Sequence, residues 1–429
     1  MAKFGWLSQA QYLLLYLLAF SIPFPFIYSS IIIILLCIVW FFQGRAGDTF
    51  RNLGQRKALW FWILFYVLHA VSYTYSTDKA GSAFDLESKM SFVVLPIVVG
   101  AGIALDRRHL EKIFSFFIYG TATVAVFCIV KAIVLAMQHS DTSYFFYHTL
   151  VKGLDTNAVY VAWYVVFSII LLLFFRWQDV VLSRSPALRY LLLALHLVFL
   201  VLLSSKMLII FCFLILLPFF IAQQVLRGRL SGTRSFALIA ALVVLASVIG
   251  LTNNPISSRY KEILRNDLSY AFRDSYSGSS QQFSNLTLRL FLWRLGVENV
   301  SEQKAWLLGV GNGDVHLLQN EKMHQYGIRN IYSEQERSNL YDVNLHNMFV
   351  QSLLMLGLLG FATFCVLVLS PFFMFRRVHD SVAFALFFLV SALFMLQESA
   401  LQTQAGIVYF TLFAAVFWNY YYGSGAKTR

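Results

Sequence analysis

The sequence predicts an all-α polytopic membrane protein with about twelve transmembrane helices and one long external loop of short helices. Three observations carry that prediction. The 429 residues are 59% hydrophobic and 13% charged, with mean hydropathy +0.67, where a soluble domain has roughly 45–50% apolar and 25% charged residues. Apolar runs long enough to span a bilayer recur along the chain. The one long polar stretch lies between about residues 252 and 346. The chain therefore divides into helices one to nine (1–251), an external loop (252–346) and helices ten to twelve (347–429).

The runs fall at about 9–24, 27–43, 58–73, 89–105, 113–137, 157–175, 189–204, 206–222, 235–251, 347–370, 380–397 and 405–421. The least distinct boundary is Ser204-Ser205-Lys206, between the seventh and eighth. Alternating sides puts both termini on one face. The short loops of that face carry Arg45, Arg51, Arg56, Lys57, Arg107, Arg108 and Lys112. Further along they carry Arg176, Arg184, Arg189, Arg227, Arg229, Arg234, Arg376 and Arg377. The opposite short loops carry only Lys79, Lys89, Lys152 and Lys206. The positive-inside rule makes the first face cytoplasmic, and a long loop translocates largely regardless of its own charge. Trp6, Trp40, Trp60, Trp62, Trp177 and Trp418 stand near span ends, where aromatic belts form. Cys37, Cys128, Cys212 and Cys365 lie inside apolar runs, with neither metal-site spacing nor a pairing across the polar loop. The N-terminus shows no small-residue cleavage site.

Within the polar stretch, Leu288, Phe291, Leu292 and Leu295 recur at helical spacing. The alternation of Leu286, Leu288 and Leu290 also suits a short strand. Gly309-Val310-Gly311-Asn312-Gly313-Asp314 is a turn, and 275–281 reads as a flexible connection. Leu317–Tyr326 has the composition of a short helix. The glycine-rich turn lacks the Gly-Lys-Ser/Thr of a P-loop, so it reads as a tight turn first and a phosphate cradle second.

The stretch with most chemistry is Asn344-Leu345-His346-Asn347, at the mouth of the apolar run 348–369. A helix start offers unpaired N–H groups and a partial positive charge, surroundings that suit a neutral imidazole acting as a base. The alternative is that His346 and Asn347 cap the helix. No Asp-x-Asp pair or His/Cys/carboxylate cluster has metal-ligand spacing, so no metal and no cofactor is expected. A phosphorylated substrate would then be neutralised by Arg or Lys. Arg289, with Trp293 one turn on, sits among leucines, where a purely solvated charge gains little. Arg259 is read equally as an interfacial anchor or a functional cation. Lys206 follows two serines at a span boundary. Lys89, two residues after Glu87, is a second phosphate contact or an end anchor. His69 and His196 lie inside spans and read as neutral histidines bonded to neighbouring helices. His148, Asp155, Glu398 and Gln404, all on the external side, are candidates to orient His346 or to touch a sugar.

Taken in order, these motifs resemble the O-antigen ligase family, whose domain many O-antigen polymerases share. They are Ser204-Ser205-Lys206, Arg259, Arg289 with Trp293, the turn 309–314, then His346-Asn347, Gln351 and Gly357-Leu358-Leu359-Gly360. The segment 286–360 is the most specific part, and 397–406 adds weaker support. The resemblance implies a metal-independent inverting glycosyltransferase of GT-C-like, membrane-embedded architecture. Such an enzyme moves a glycan from undecaprenyl pyrophosphate to a hydroxyl of lipid A–core oligosaccharide. It implies the bacterial inner membrane with the site facing the periplasm, and no nucleic-acid partner. His346 matches the family's essential histidine and Arg289 a pyrophosphate-binding arginine. Lys206 falls where members commonly carry arginine; lysine keeps the charge but loses the bidentate fork. Two other readings stand beside this one. An O-antigen or capsule polymerase would use the same features with a glycan acceptor. A lipid-linked oligosaccharide transporter would line its path with midplane charges or matched broken helices, whereas most charges here sit at span ends.

Overall fold

Each of the expected spans except the ninth is helical in the computed structural model, which describes residues 5–240, 267–276, 283–328, 344–374 and 382–422. Of the ninth, only 235–240 fall among the described residues, within a helix at 232–240. The chain begins with α1 (Gly5–Ser21), α2 (Phe26–Phe42), α3 (Ala46–Gln55) and α4 (Lys57–Tyr75). Next come α5 (Lys79–Lys89) and α6 (Ser91–Leu95), the latter running into a wider π turn at Pro96–Ala101, then α7 (Arg107–His139). The short α8 (Tyr147–Val151) and α10 (Val181–Arg184) flank α9 (Ala158–Phe174). Two long apolar helices follow, α11 (Pro186–Leu203) and α12 (Lys206–Leu226). Ser204, at φ 53°, separates them, which settles the indistinct boundary as a true break. The polar stretch contributes α13 (Asn285–Glu302) and α14 (Val315–Gln325), and the chain closes with α15 (Met348–Met374), α16 (Val382–Met395) and α17 (Gln404–Tyr422). No strand occurs among the described residues, so the alternation at 286–290 belongs to α13.

Five of these helices, α4, α7, α11, α12 and α15, have the length and apolar composition to cross a membrane. The pair α2–α3, bent by 108°, makes a sixth. α9 and α16 are shorter apolar helices. The centre of the bundle is α9 against α17: the Trp163 and Tyr409 rings lie 4.5 Å apart, and those of Phe167 and Phe413 4.9 Å. Edge-on aromatic contacts of this kind add to the gain from area burial. Polar contacts gather at the two ends of α17. At its start, Gln404 donates to Ser30 Oγ (2.8 Å). At its end, the Asn419 amide donates to Val99 O (2.6 Å) and Ile103 O (2.7 Å). His196 behaves as read from the sequence, with Nε2 2.8 Å from Thr121 Oγ1 of α7 and Nδ1 on Leu192 O.

The run 347–370 is one span in the sequence but a broken helix in the structure. Gly357 takes φ 63° and interrupts α15. The backbone groups freed there find partners in the loop after α13: Val310 donates to Leu354 O (2.8 Å), Gly311 to Met355 O (3.1 Å), and Leu358 to Trp306 O (2.7 Å). Apolar surroundings tolerate irregular backbone only when its polar groups are satisfied in this way. The two backbones touch so closely that a Cβ on Gly357 would lie 2.3 Å from Leu307 C, and one on Gly309 2.3 Å from Met355 C. Gly357→Ala is therefore expected to destabilise the protein by more than about 1 kcal/mol, through the left-handed φ and the clash together. Gly47→Ala, in open space on α3, serves as the neutral control in thermal unfolding in detergent.

That interlock also decides the glycine-rich turn. All five of its first N–H groups have partners: Ala305 O, Leu354 O, Met355 O, Ser72 Oγ and Ser76 Oγ, in chain order. Asp314 closes it by accepting from the Thr77 and Asp78 amides, both at 2.9 Å. With these five N–H groups committed, the turn is a docking device rather than a phosphate cradle.

Candidate active site

Two helices and one turn build the site. Ser284 caps α13 by accepting from the Thr287 amide (3.2 Å), which fixes the register of Arg289, Trp293 and Gly296 at i, i+4 and i+7 on one face. Trp293 Nε1 donates to Leu345 O (2.9 Å). Beside Gly296 there is room only for Leu345 and Val350, each 3.0 Å from where a Cβ would stand. The residues before α15 are thus clamped along α13.

Asn347, rather than His346, caps α15: its Oδ1 accepts from the Phe349 (2.9 Å) and Val350 (3.2 Å) amides. This is the standard economy of an Asn N-cap. The Asn347 amide donates to Ser399 Oγ (3.1 Å), and the Leu345 amide to Gln351 Oε1 (3.1 Å). Between these anchors His346 is held at φ 47°, with its amide on Asn344 Oδ1 (2.9 Å). A left-handed histidine persists where its surroundings over-determine it, and here each neighbour is tied to a different element.

The conformation aims the His346 ring at the turn between α16 and α17. Nδ1 lies 2.9 Å from Glu398 Oε2, while Arg289 Nη2 donates to Glu398 Oε1 at 2.6 Å. One carboxylate therefore bridges the imidazole and the guanidinium. Glu398 is nearly enclosed, its side chain 10% exposed; His346 at 28% and Arg289 at 24% keep a face open. Of the residues considered to orient the histidine, Glu398 does so. Gln404 is turned to Ser30, and His148 sits in α8 with its ring 3.7 Å from that of Tyr147.

Lys89 holds a different place from a solvent-facing phosphate contact. It is fully buried and ion-paired to Asp85, with Gln402 Oε1 at 3.5 Å. Asp85 also accepts from Asn312 Nδ2 (3.0 Å). Burial opposes ionisation of Asp85, but the Lys89 charge and the hydrogen bonds from Lys89 and Asn312 outweigh it. They hold the carboxyl below the usual carboxylate range. The partner of Lys89 is thus Asp85, one helical turn back, and not Glu87; the i, i+4 spacing is the signal that identifies it. This network joins the glycine-rich turn to the segment that follows Glu398. Lys206 opens α12, whose first turn packs on α9 and α16. Arg259 lies outside the described residues. No cluster of three or more His, Cys, Asp or Glu with the geometry of a metal site occurs among the described residues.

Fold and cluster together define a multi-pass membrane protein with a histidine–carboxylate–guanidinium site at one polar end of its bundle. Residues 153–365, about half of the chain, match the family model for O-antigen ligase, the family that the motif order resembles. That span contains Lys206, Arg289, Trp293, His346 and Asn347 and ends before Glu398. A search of curated proteins returned no match.

Proposed function

We propose that the protein is a metal-independent inverting glycosyltransferase of the O-antigen ligase type. It transfers a glycan from undecaprenyl pyrophosphate to a hydroxyl of lipid A–core oligosaccharide at the periplasmic face of the bacterial inner membrane. The observation that carries the reading is the bridge of Glu398 between His346 and Arg289. Nδ1–H of the neutral imidazole donates to Glu398, which leaves the Nε2 lone pair for the acceptor hydroxyl. As that oxygen attacks the anomeric carbon, the bond to pyrophosphate breaks and the hydroxyl proton passes to Nε2. Arg289 spends one donor on Glu398 and has others for the departing pyrophosphate; Lys206 and Arg259 add positive charge on the same side of the membrane. A pyrophosphate stabilised by such cations can leave without a metal. The about twelve spans and GT-C-like arrangement belong to this proposal, as does the division at residues 251 and 346. A cluster confined to one end of the bundle favours catalysis over transport.

In a strain lacking the gene, the lipopolysaccharide ladder should lose all long chains while lipid-linked polymer accumulates. A single repeat capping the core would instead assign the chain to polymerisation.

A further inference from the structure

The end of the bundle away from His346 holds a cavity of about 370 Å³ between α3, the π turn after α6 and the end of α17. Asn419, in its wall, lies fifteen residues beyond Gln404, or about 22 Å along α17 at 1.5 Å per residue, so this space is separate from the candidate active site. Its walls include three guanidinium groups, from Arg45, Arg51 and Arg56, against one carboxylate, from Asp48. No ion pair involves any of the three arginines among the described residues. Arg56 is only 8% exposed, and among the described residues its guanidinium donates to one neighbour, Gly100 O. A buried guanidinium without a carboxylate is costly unless an anion completes its surroundings.

Two amides of the wall are committed to backbone. Asn52 donates to Ala101 O (3.1 Å), and Asn419 to Val99 O and Ile103 O. Together with the bond from Arg56 to Gly100 O, these satisfy the carbonyls at the end of the π turn, so Arg45 and Arg51 are not needed there. The cavity also stands where the chain turns by 108°, from α2 into α3. If α2 crosses the membrane, α3 runs along its surface. Phe41 and Phe42 at the end of α2 and Phe50 on α3 are exposed at 73%, 64% and 54%. Apolar rings beside arginines at a surface helix suit the boundary between acyl chains and head groups.

We infer that this cavity binds a phosphate-bearing anion, supplied by the head group of an anionic membrane lipid. Basic pockets between helices at a membrane surface recognise such head groups, and each arginine there contributes a modest electrostatic increment. The inference does not depend on the catalytic reading, because none of its residues touches His346, Glu398 or Arg289.

The test uses the full chain in neutral detergent, with phosphatidylglycerol or cardiolipin titrated in and binding read by native mass spectrometry and by Tm. The wild type is expected to retain one lipid tightly and to gain Tm. The double variant Arg45→Ala/Arg51→Ala, which alters two exposed residues and spares the buried Arg56, should bind roughly 30-fold more weakly. Phosphatidylcholine should give no such difference between the two proteins. Inorganic phosphate at millimolar concentration is the second arm. If it alone reproduces the gain in Tm, a soluble phosphate occupies the site and the lipid assignment is overturned. Equal binding of anionic lipid by wild type and double variant would overturn the site itself. Unchanged glycan transfer by the variant would leave the catalytic reading standing in either case.

Discussion

His346→Ala is expected to lower glycan transfer by about 10²–10⁴-fold, the usual worth of general-base assistance. Expression and membrane insertion should be unaffected, because the ring is not a packing element: it reaches out from the α15 mouth and is partly exposed. The cap of α15 survives the change, since Asn347 supplies it. Donor binding should survive too, because the cations and the apolar surface that would hold a lipid pyrophosphate are untouched. Alanine accepts the left-handed backbone conformation less readily than histidine does, so a modest loss of Tm is expected beside the loss of rate. Binding of donor and rate of transfer, measured separately on purified protein, distinguish the two effects.

Arg289→Ala carries the second large effect, and it should act on two quantities at once. Removing the guanidinium takes away charge at the leaving group, where oxyanion-type stabilisation is typically worth about 10²–10³-fold for one donor. It also leaves Glu398 without the partner on its Oε1, so the carboxylate that orients His346 is freed to rotate. Arg289→Lys keeps the charge but not the planar fork, and should recover part of the rate while binding donor nearly normally. Glu398→Gln separates the two roles. It retains an oxygen for Nδ1–H but loses the ionic partner of Arg289, so its loss should be smaller than that of Arg289→Ala. EDTA should leave all of these activities unchanged in detergent; abolition by EDTA and recovery with added divalent metal would overturn the metal-free mechanism.

Much of the framework was legible in the sequence because apolar runs and loop charge report on the solvent that each segment meets. The apolar helices follow from local composition, whereas the helix at 285–302 and the split at Ser204 were offered by it and decided by the fold. The break at Gly357 was not legible, since Gly357-Leu358-Leu359-Gly360 inside an apolar run reads as uninterrupted helix. Its cause is the backbone of Trp306 to Gly311, which supplies the missing hydrogen-bond partners from a distant part of the chain. The site divides along the same line. Asn344 to Asn347 declared itself through residue type at a helix start, and Arg289 with Trp293 through spacing on one face. The link between them did not, because Glu398 stands in a turn fifty-two residues after His346 and reaches it only when α16 and α17 pack beside α15. Lys89 follows a related rule: the sequence offers it as a phosphate contact or an end anchor, and the fold encloses it with Asp85 and Gln402, with Asn312 tied to Asp85.

The central claim is that His346 takes a proton, and His346→Gln tests it most directly. Glutamine keeps approximate size and can still donate a hydrogen bond to Glu398, but it does not accept a proton at neutral pH. The measurement is the single-turnover rate of transfer by the purified, reconstituted variant with saturating lipid-linked donor, beside the wild type. The account predicts a loss of about 10²-fold or more with donor affinity intact. A near-normal rate would contradict it, leaving His346 as a positioning residue and moving the base elsewhere.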